Sequence, residues 1–134
     1  MKERIASKYW ICIAIYCAAI FLMSAQSRIE ETAPSWLDFS GADKIAHMTI
    51  YAGLALLVSW SIRQSNDNPR PWAQWVIPVL FAVFYGITDE IHQFYVPNRE
   101  MDGLDLLADG VGAILIQSLW CGMIWRVPFI RAAT

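Results

Sequence analysis

The sequence has few charged residues and lacks the commonest enzyme motifs. Asp, Glu, Lys and Arg make up 16% of its 134 residues, against about 25% in an average soluble domain. Its three cysteines form no CxxC pair, so neither a zinc-finger site nor a disulfide framework is indicated. There is no HExxH pair, no GxSxG elbow and no Gly-rich phosphate loop, so the usual hydrolase and nucleotide-binding signatures are absent.

Hydrophobic residues, by contrast, make up 57% of the chain. They concentrate in four segments, at about 9–25, 44–62, 72–90 and 105–125. Each is near the lower end of the roughly 17–25 residues that a transmembrane helix needs, and no segment alternates in the way that a barrel strand does. We therefore predict an all-α protein, with residues 1–134 forming a single domain that is a bundle of four transmembrane helices.

The first segment has one alternative interpretation. A positively charged start followed by an apolar run is also typical of a cleaved secretory signal. The only suitable cleavage point, after Ala25, would place Met23 where a small residue is wanted. We therefore predict that the segment is retained as a helix.

Basic residues indicate the orientation of the helices. With both termini in the cytoplasm, the inner side carries Lys2, Arg4, Lys8, Arg63, Arg70, Arg126 and Arg131, and the outer side carries Arg28, Lys44 and Arg99. Seven against three agrees with the positive-inside rule. The pattern predicts cytoplasmic termini and an outward-facing loop between the third and fourth helices.

Polar residues are grouped at the outer ends of three predicted helices. The groups are Asp43, Lys44 and His47; Asp89, Glu90, His92 and Gln93; and Asp102, Asp105 and Asp109. Residues four apart share a helix face, and charged groups are costly when they face lipid. We therefore expect all three groups to point into the bundle, with His92, only two residues from Glu90, as a weaker candidate that points elsewhere.

Local roles explain part of this pattern. Asp43 and Asp105 are each placed to cap the first turn of a helix, but capping does not explain His47 or Asp109, one turn deeper.

Arg99 is the one basic residue between the third and fourth segments. Its planar fork can bind carboxylates or a substrate phosphate. Neutralisation of Asp89 or Asp102 is the simpler interpretation, and phosphate binding is the functional one.

The order and spacing of these residues form a recognisable pattern. It consists of Asp43-Lys44-x-x-His47, Asp89-Glu90-x-x-Gln93-x-x-x-Pro97-x-Arg99 and Asp102-x-x-Asp105, with Ser24-Ala25-Gln26-Ser27 ending the first segment. This pattern resembles the VanZ-like family of small bacterial membrane proteins. That family usually has Asn where this chain has Asp109, and Gly where it has Asn98. Because Asn tolerates a left-handed turn, we expect the loop to keep its shape.

The resemblance implies a cell-envelope factor in the bacterial cytoplasmic membrane, linked through the founding member to resistance against the glycopeptide teicoplanin. Our first hypothesis is a protein that binds a lipid-linked or glycopeptide ligand at its outer face. The candidate ligand-binding residues are Asp43, Lys44, His47, Asp89, Glu90, Gln93, Arg99, Asp102, Asp105 and Asp109.

Two other functions stay open. The chain could be a membrane-embedded enzyme that acts on a lipid-linked envelope substrate, with His47, Asp89, Glu90 and Asp105 as candidate catalytic residues. In that case His47 would be the general acid or base, oriented by Asp43 or Asp105, while Asp89 and Glu90 share a proton or a cation. The other alternative is a structural or regulatory membrane protein whose buried polar network fixes the helix register.

A metal site could be assembled from His47, Asp89, Glu90 and Asp105. Hard cations prefer oxygen ligands, however, and zinc prefers more His or Cys than this set offers. From sequence we therefore expect no metal and no cofactor. The expected partners are the lipid bilayer and the lipid-linked or glycopeptide ligand, with no nucleic acid.

Overall fold

The structure is a computed structural model that describes residues 2–26, 41–66 and 69–126, and the side chains of residues 8–26, 41–66 and 69–123. Ser27, Arg28 and Arg131, which enter the predictions above, lie outside these ranges, as do the side chains of Lys2, Arg4 and Arg126. The described residues form four helices: α1 (Lys2–Ser24), α2 (Ala42–Ser65), α3 (Pro71–Phe94) and α4 (Gly103–Arg126). No strand occurs within the described ranges, so the all-α, four-helix prediction is confirmed.

Three of the helices are long and apolar enough to cross a membrane. By length and composition they are Ala42–Ser65, Pro71–Phe94 and Gly103–Met123, while the apolar part of α1, Lys8–Ser24, is shorter. A fourth span, and the cytoplasmic location of both termini, stay predictions.

The helix ends differ from the predicted ones for local reasons. α2 begins after Gly41, whose φ of 102° is left-handed, and Asp43 lies in its first turn and not at the cap position. The cap of α4 is Asp102 and not Asp105, because Asp102 Oδ1 accepts a hydrogen bond of 2.8 Å from the backbone N–H of Leu104. α3 begins with Pro71, a residue suited to the first turn because it has no N–H to satisfy.

The bundle is built around α2, whose closest partner is α4. Gly112 of α4 lies directly against the backbone of Met48 of α2, where a Cβ would collide. Close approach of this kind needs small residues, and Gly112, one turn after Ala108, provides one at the contact with α2. The core between the helices consists of Ile13, Ile20, Tyr51, Leu54, Ala55, Val58, Val79, Ala82 and Ala113.

Two tyrosine hydroxyls fasten α1 to the other helices. Tyr16 donates to the carbonyl of Ile50 in α2 at 2.9 Å, and Tyr85 of α3 donates to the carbonyl of Cys17 at 2.6 Å. These bonds fix the position of α1, which forms one wall of the site described below.

Candidate functional site

The start of α2, the end of α3 and the start of α4 meet at one end of the bundle. The nine residues that we call the polar cluster are Lys44, His47, Asp89, Glu90, Gln93, Arg99, Asp102, Asp105 and Asp109, and Asp43 lies beside them against Lys44. Asp89, Glu90, Gln93, Asp105 and Asp109 are buried. The prediction that the polar faces point into the bundle is confirmed.

Lys44 holds the start of α4 to α2. Its Nζ lies 2.8 Å from Asp102 Oδ2 and 2.8 Å from Asp105 Oδ1, with Asp43 Oδ2 at 3.6 Å. The hydrogen bond from Lys44, helped by the one from the Leu104 N–H, holds the pKa of the Asp102 carboxyl below its usual range. Because three carboxylates surround it, the ammonium of Lys44 is already balanced by negative charge and is poorly placed to attract an anionic ligand.

Glu90 is the most deeply placed acid of α3, with 1% of its surface exposed. Its Oε2 accepts a 2.8 Å hydrogen bond from the backbone N–H of Asp102. Its Oε1 is buried and has no hydrogen-bond partner among the described residues. A backbone amide therefore satisfies one of the two carboxylate oxygens of Glu90. Burial of the other oxygen without a hydrogen-bond partner costs free energy.

His47 is oriented by Asp109. The two groups are 3.0 Å apart, from His47 Nδ1 to Asp109 Oδ1, and Asp109 is fully buried. His47 Nε2 is 3.9 Å from Asp105 Oδ2, too far for a hydrogen bond. The prediction that Asp105 orients His47 is therefore wrong, because Asp109 lies one helical turn further along α4 and it is Asp109 that reaches Nδ1. That Asp43 orients His47 stays a prediction.

Arg99 binds neutral oxygens. Its Nε donates to the carbonyl of Gln26 at 3.3 Å, and its Nη1 donates to Gln93 Oε1 at 3.4 Å. Gln93 in turn donates to Asp89 Oδ2 at 3.1 Å. Arg99 forms no ion pair with any carboxylate that the structure describes, so the interpretation that it neutralises Asp89 or Asp102 directly is wrong.

His92 lies away from the cluster, as expected. Its ring stacks on Phe21 of α1, with the ring centroids 4.1 Å apart. It therefore serves the contact between α1 and α3.

Two neighbouring clefts open among these residues. The smaller has a volume of about 270 Å³, and its lining combines the apolar Ile20, Met23 and Ile50 with the polar Asp89, Gln93 and Arg99. The larger has a volume of about 680 Å³ and is polar, lined mainly by residues of the polar cluster and of the loop before α4. His47 and Arg99 line both clefts, so the two spaces share a boundary.

A family model described as VanZ/LLP1 matches residues 9–126, which include all four helices apart from the first residues of α1. The chain belongs to the VanZ/LLP1 family. It is accordingly a membrane protein of VanZ-like type. No curated protein and no solved structure gave a significant match.

The two departures from the VanZ-like pattern have structural consequences. Asn98 adopts a left-handed φ of 61°, so the prediction that Asn can replace Gly in this loop is confirmed. Asp109 supplies the carboxylate that binds His47. An Asn amide at this position could still bind the ring, but without the negative charge.

Sequence reasoning missed the groups that complete the site of this VanZ/LLP1 protein. Tyr51, one turn after His47, is 1% exposed and lies parallel to the His47 ring at 6.2 Å. Its hydroxyl faces Asp89, although neither its Oη nor Asp89 Oδ1 has a partner in hydrogen-bonding geometry among the described residues. The four-residue spacing from His47 could have identified Tyr51. Nothing in the sequence marks Ile20 and Met23 as cleft residues, because the residues from Ala18 to Met23 are all apolar.

Among the residues that the structure describes, one set could hold a metal ion. His47, Glu90 and Asp105 each have a ligand atom within 4.8 Å of the other two. Asp89, which the sequence suggested as a fourth ligand, bonds to Gln93 instead.

Proposed function

We propose that this chain binds a lipid-linked ligand of the cell envelope, with the phosphate of the ligand at Arg99 and the start of its hydrocarbon chain on α1. The observation that supports the proposal is the smaller cleft, which joins an apolar wall of Ile20, Met23 and Ile50 to the guanidinium of Arg99. A lipid-linked phosphate has the same two parts in the same order.

Arg99 is the cation best suited to an anionic ligand. Lys44 is surrounded by three carboxylates, whereas the described partners of Arg99 are a carbonyl and an amide oxygen at 3.3 and 3.4 Å. These bonds are weaker than the charge-assisted pair that a phosphate would form with the guanidinium fork. Phosphate binding therefore exchanges weak contacts for strong ones.

The volume of the cleft agrees with this role. At about 270 Å³ it lies just below the usual range of about 300–1,000 Å³ for whole small-molecule sites. It has room for a polar headgroup and the first carbons of a chain, while the rest of the chain would lie in the bilayer. We further propose that the polar cluster faces outward across the bacterial cytoplasmic membrane, as the distribution of Lys and Arg predicts.

The binding test uses undecaprenyl phosphate as the probe, with the purified chain in lipid nanodiscs. We expect Arg99→Gln to weaken binding about 10- to 100-fold, the equivalent of about 1.5–3 kcal/mol for a charge-assisted hydrogen bond. The matched control is Arg63→Gln, because Arg63 also bonds to a glutamine, Gln74, at 3.3 Å but lies near the other end of α2. Undecaprenol, which has no phosphate, should bind wild type and Arg99→Gln equally.

Equal affinity of wild type and Arg99→Gln for undecaprenyl phosphate would refute the proposal. The same variants address the envelope role that the family resemblance suggests. If ligand binding underlies tolerance of teicoplanin, cells that produce wild-type protein should tolerate more of it than cells that produce Arg99→Gln at equal levels. Equal tolerance of teicoplanin would mean that ligand binding at Arg99 does not contribute to resistance.

A membrane-embedded enzyme is the second candidate, because His47 has the geometry of a general acid or base. Its Nδ1 contacts the buried Asp109 at 3.0 Å, and the ring lines both clefts. Such an enzyme should release a water-soluble product from undecaprenyl pyrophosphate, and His47→Gln should stop the release while binding persists. If wild type releases nothing, this candidate is excluded for that substrate.

A purely structural network is the weakest of the three hypotheses. Structural networks satisfy their buried polar groups, whereas Asp89 Oδ1, Glu90 Oε1 and Asp109 Oδ2 are buried without hydrogen-bond partners among the described residues. Buried oxygens left in this state favour a site that a ligand completes.

A further inference from the structure

We propose that His47, Glu90 and Asp105 bind a divalent transition-metal ion at the junction of α2, α3 and α4. One ligand atom of each residue lies within 4.8 Å of the ligand atoms of the other two. The three residues come from three different helices, so a bound ion would join them at the polar end of the bundle. This inference does not depend on the proposed lipid ligand.

Each of the three residues has one polar atom already held and a second atom left over. His47 Nδ1 contacts Asp109 at 3.0 Å. Asp105 Oδ1 accepts from Lys44 at 2.8 Å. Glu90 Oε2 accepts from a backbone N–H at 2.8 Å. The remaining atoms are His47 Nε2, Asp105 Oδ2 and Glu90 Oε1, and a metal-binding His is typically oriented through its other nitrogen by a carboxylate in this way.

Glu90 provides independent support for a ligand at this place. Its side chain is 1% exposed, yet Oε1 has no hydrogen-bond partner among the described residues. Leaving a buried carboxylate oxygen unpaired is costly. Because Oε2 is occupied, Oε1 is the oxygen available to a cation, and coordination would remove that cost.

The separation of the ligand atoms is close to the one that coordination needs. Ligands about 2.1 Å from one metal ion and at 90–110° to each other are about 3.0–3.4 Å apart. His47 Nε2 and Asp105 Oδ2 are 3.9 Å apart, so this pair needs a side-chain shift of less than about 1 Å, while the oxygen of Glu90 lies within 4.8 Å of both. His47 and Asp105 also line the larger cleft, which leaves coordination positions for water or an exchangeable ligand.

The surrounding charge favours a dication. Asp102 and Asp109 lie next to the three ligands through Lys44 and His47, and Lys44 is the one ammonium that the described residues bring into contact with the group. Four carboxylates against one lysine leave an excess of negative charge that a doubly charged ion would reduce. One imidazole with two carboxylates suits Mn²⁺ or Fe²⁺ better than Ca²⁺ or Mg²⁺, which take oxygen ligands.

Binding of Mn²⁺ to the purified, untagged chain in detergent tests this inference. Mn²⁺ is the probe because thiolates select softer metals, so Cys12, Cys17 and Cys121 should not compete. Electron paramagnetic resonance of free Mn²⁺ gives the stoichiometry, and we expect one ion per chain. Electron spin echo spectra of the bound ion should show the coupling of one imidazole nitrogen.

Two pairs of variants locate the site. We expect His47→Gln and Glu90→Gln each to weaken Mn²⁺ binding at least tenfold, and His47→Gln to abolish the nitrogen coupling. The matched controls are His92→Gln, whose ring stacks on Phe21, and Glu100→Gln, which is exposed. Both controls should bind as wild type does.

Three results would each overturn the inference. The first is a wild-type chain that binds no Mn²⁺, and the second is a cluster variant with wild-type affinity. The third is bound Mn²⁺ without an imidazole nitrogen, which needs only wild-type protein and so remains informative if His47→Gln or Glu90→Gln fails to fold. Loss of Mn²⁺ binding in these variants alongside unchanged undecaprenyl phosphate binding would separate this site from the proposed function.

Discussion

The substitution Gly112→Ala tests the closest contact in the bundle. A Cβ at Gly112 would lie 2.8 Å from the carbonyl carbon and 2.9 Å from the Cα of Met48, with the Met48 oxygen closer still. Carbon atoms in van der Waals contact are about 3.5–4.0 Å apart. The obstacle is backbone, so no side-chain rotation relieves it, and α2 and α4 must separate locally by roughly 1 Å.

The expected destabilisation follows from two opposing effects. Overpacking of this kind lowers the free energy of unfolding by up to about 3 kcal/mol, whereas replacing Gly by Ala inside a helix raises it by up to about 1 kcal/mol. We expect a net loss of about 2 kcal/mol in the free energy of unfolding. Met48 follows His47 in the chain, so the same displacement should also lengthen the contact between His47 and Asp109.

Unfolding in mixed detergent micelles, followed by circular dichroism, measures this loss. Gly122→Ala is the matched control, because a Cβ at Gly122 meets nothing within 4 Å, and it should be neutral or stabilising by up to about 1 kcal/mol. Gly53→Ala should fall between the two, because it meets only the movable ring of Tyr16. If Gly112→Ala were as stable as Gly122→Ala, the inferred packing of α2 against α4 would be refuted.

Two further predictions concern the ties around the site. Asp102 has a pKa lowered chiefly by the hydrogen bond from Lys44, so its stabilising effect should be present at neutral pH and be lost as the pH falls through that lowered pKa. Asp102→Asn keeps a residue suited to capping α4. We therefore expect this variant to be less stable than wild type at pH 7, with a smaller difference in the free energy of unfolding in acid. A difference in stability that is independent of pH would contradict this. Tyr85→Phe removes the hydrogen bond to the Cys17 carbonyl and should cost about 1 kcal/mol in the same unfolding assay, whereas no change would mean that α1 is held by apolar contacts alone.

Much of the fold could be predicted because hydrophobic composition along the chain reports directly on helices. The last three predicted segments fall inside the observed helices, the first ends one residue past α1, and most ends agree within a few residues. The misassigned ends depend on local geometry: Gly41 starts α2 through its left-handed backbone, and α3 extends past Glu90 to Phe94. Acidic residues at the end of a helix look like its termination, but here the helix continues through them.

The residues of the candidate site could also be named in advance, since polar side chains stand out in apolar segments. Their partners could not. Asp109, and not Asp105, lies within hydrogen-bonding distance of His47, and a backbone amide from the next loop binds Glu90. Such pairings depend on the rotation and depth of each helix against its neighbours, which the spacing within one helix does not define.

The sequence by itself determined that the chain is helical, is suited to a membrane and gathers its polar residues at one end. These features can be predicted from sequence because the helical period and the cost of placing charge in lipid apply to each segment without reference to the others. Only the tertiary structure decided that Lys44 is occupied by carboxylates, that Arg99 is held by neutral oxygens and that Glu90 retains an unpaired buried oxygen. Those facts depend on distances between different helices, which are set when α2 and α4 pack closely through Gly112.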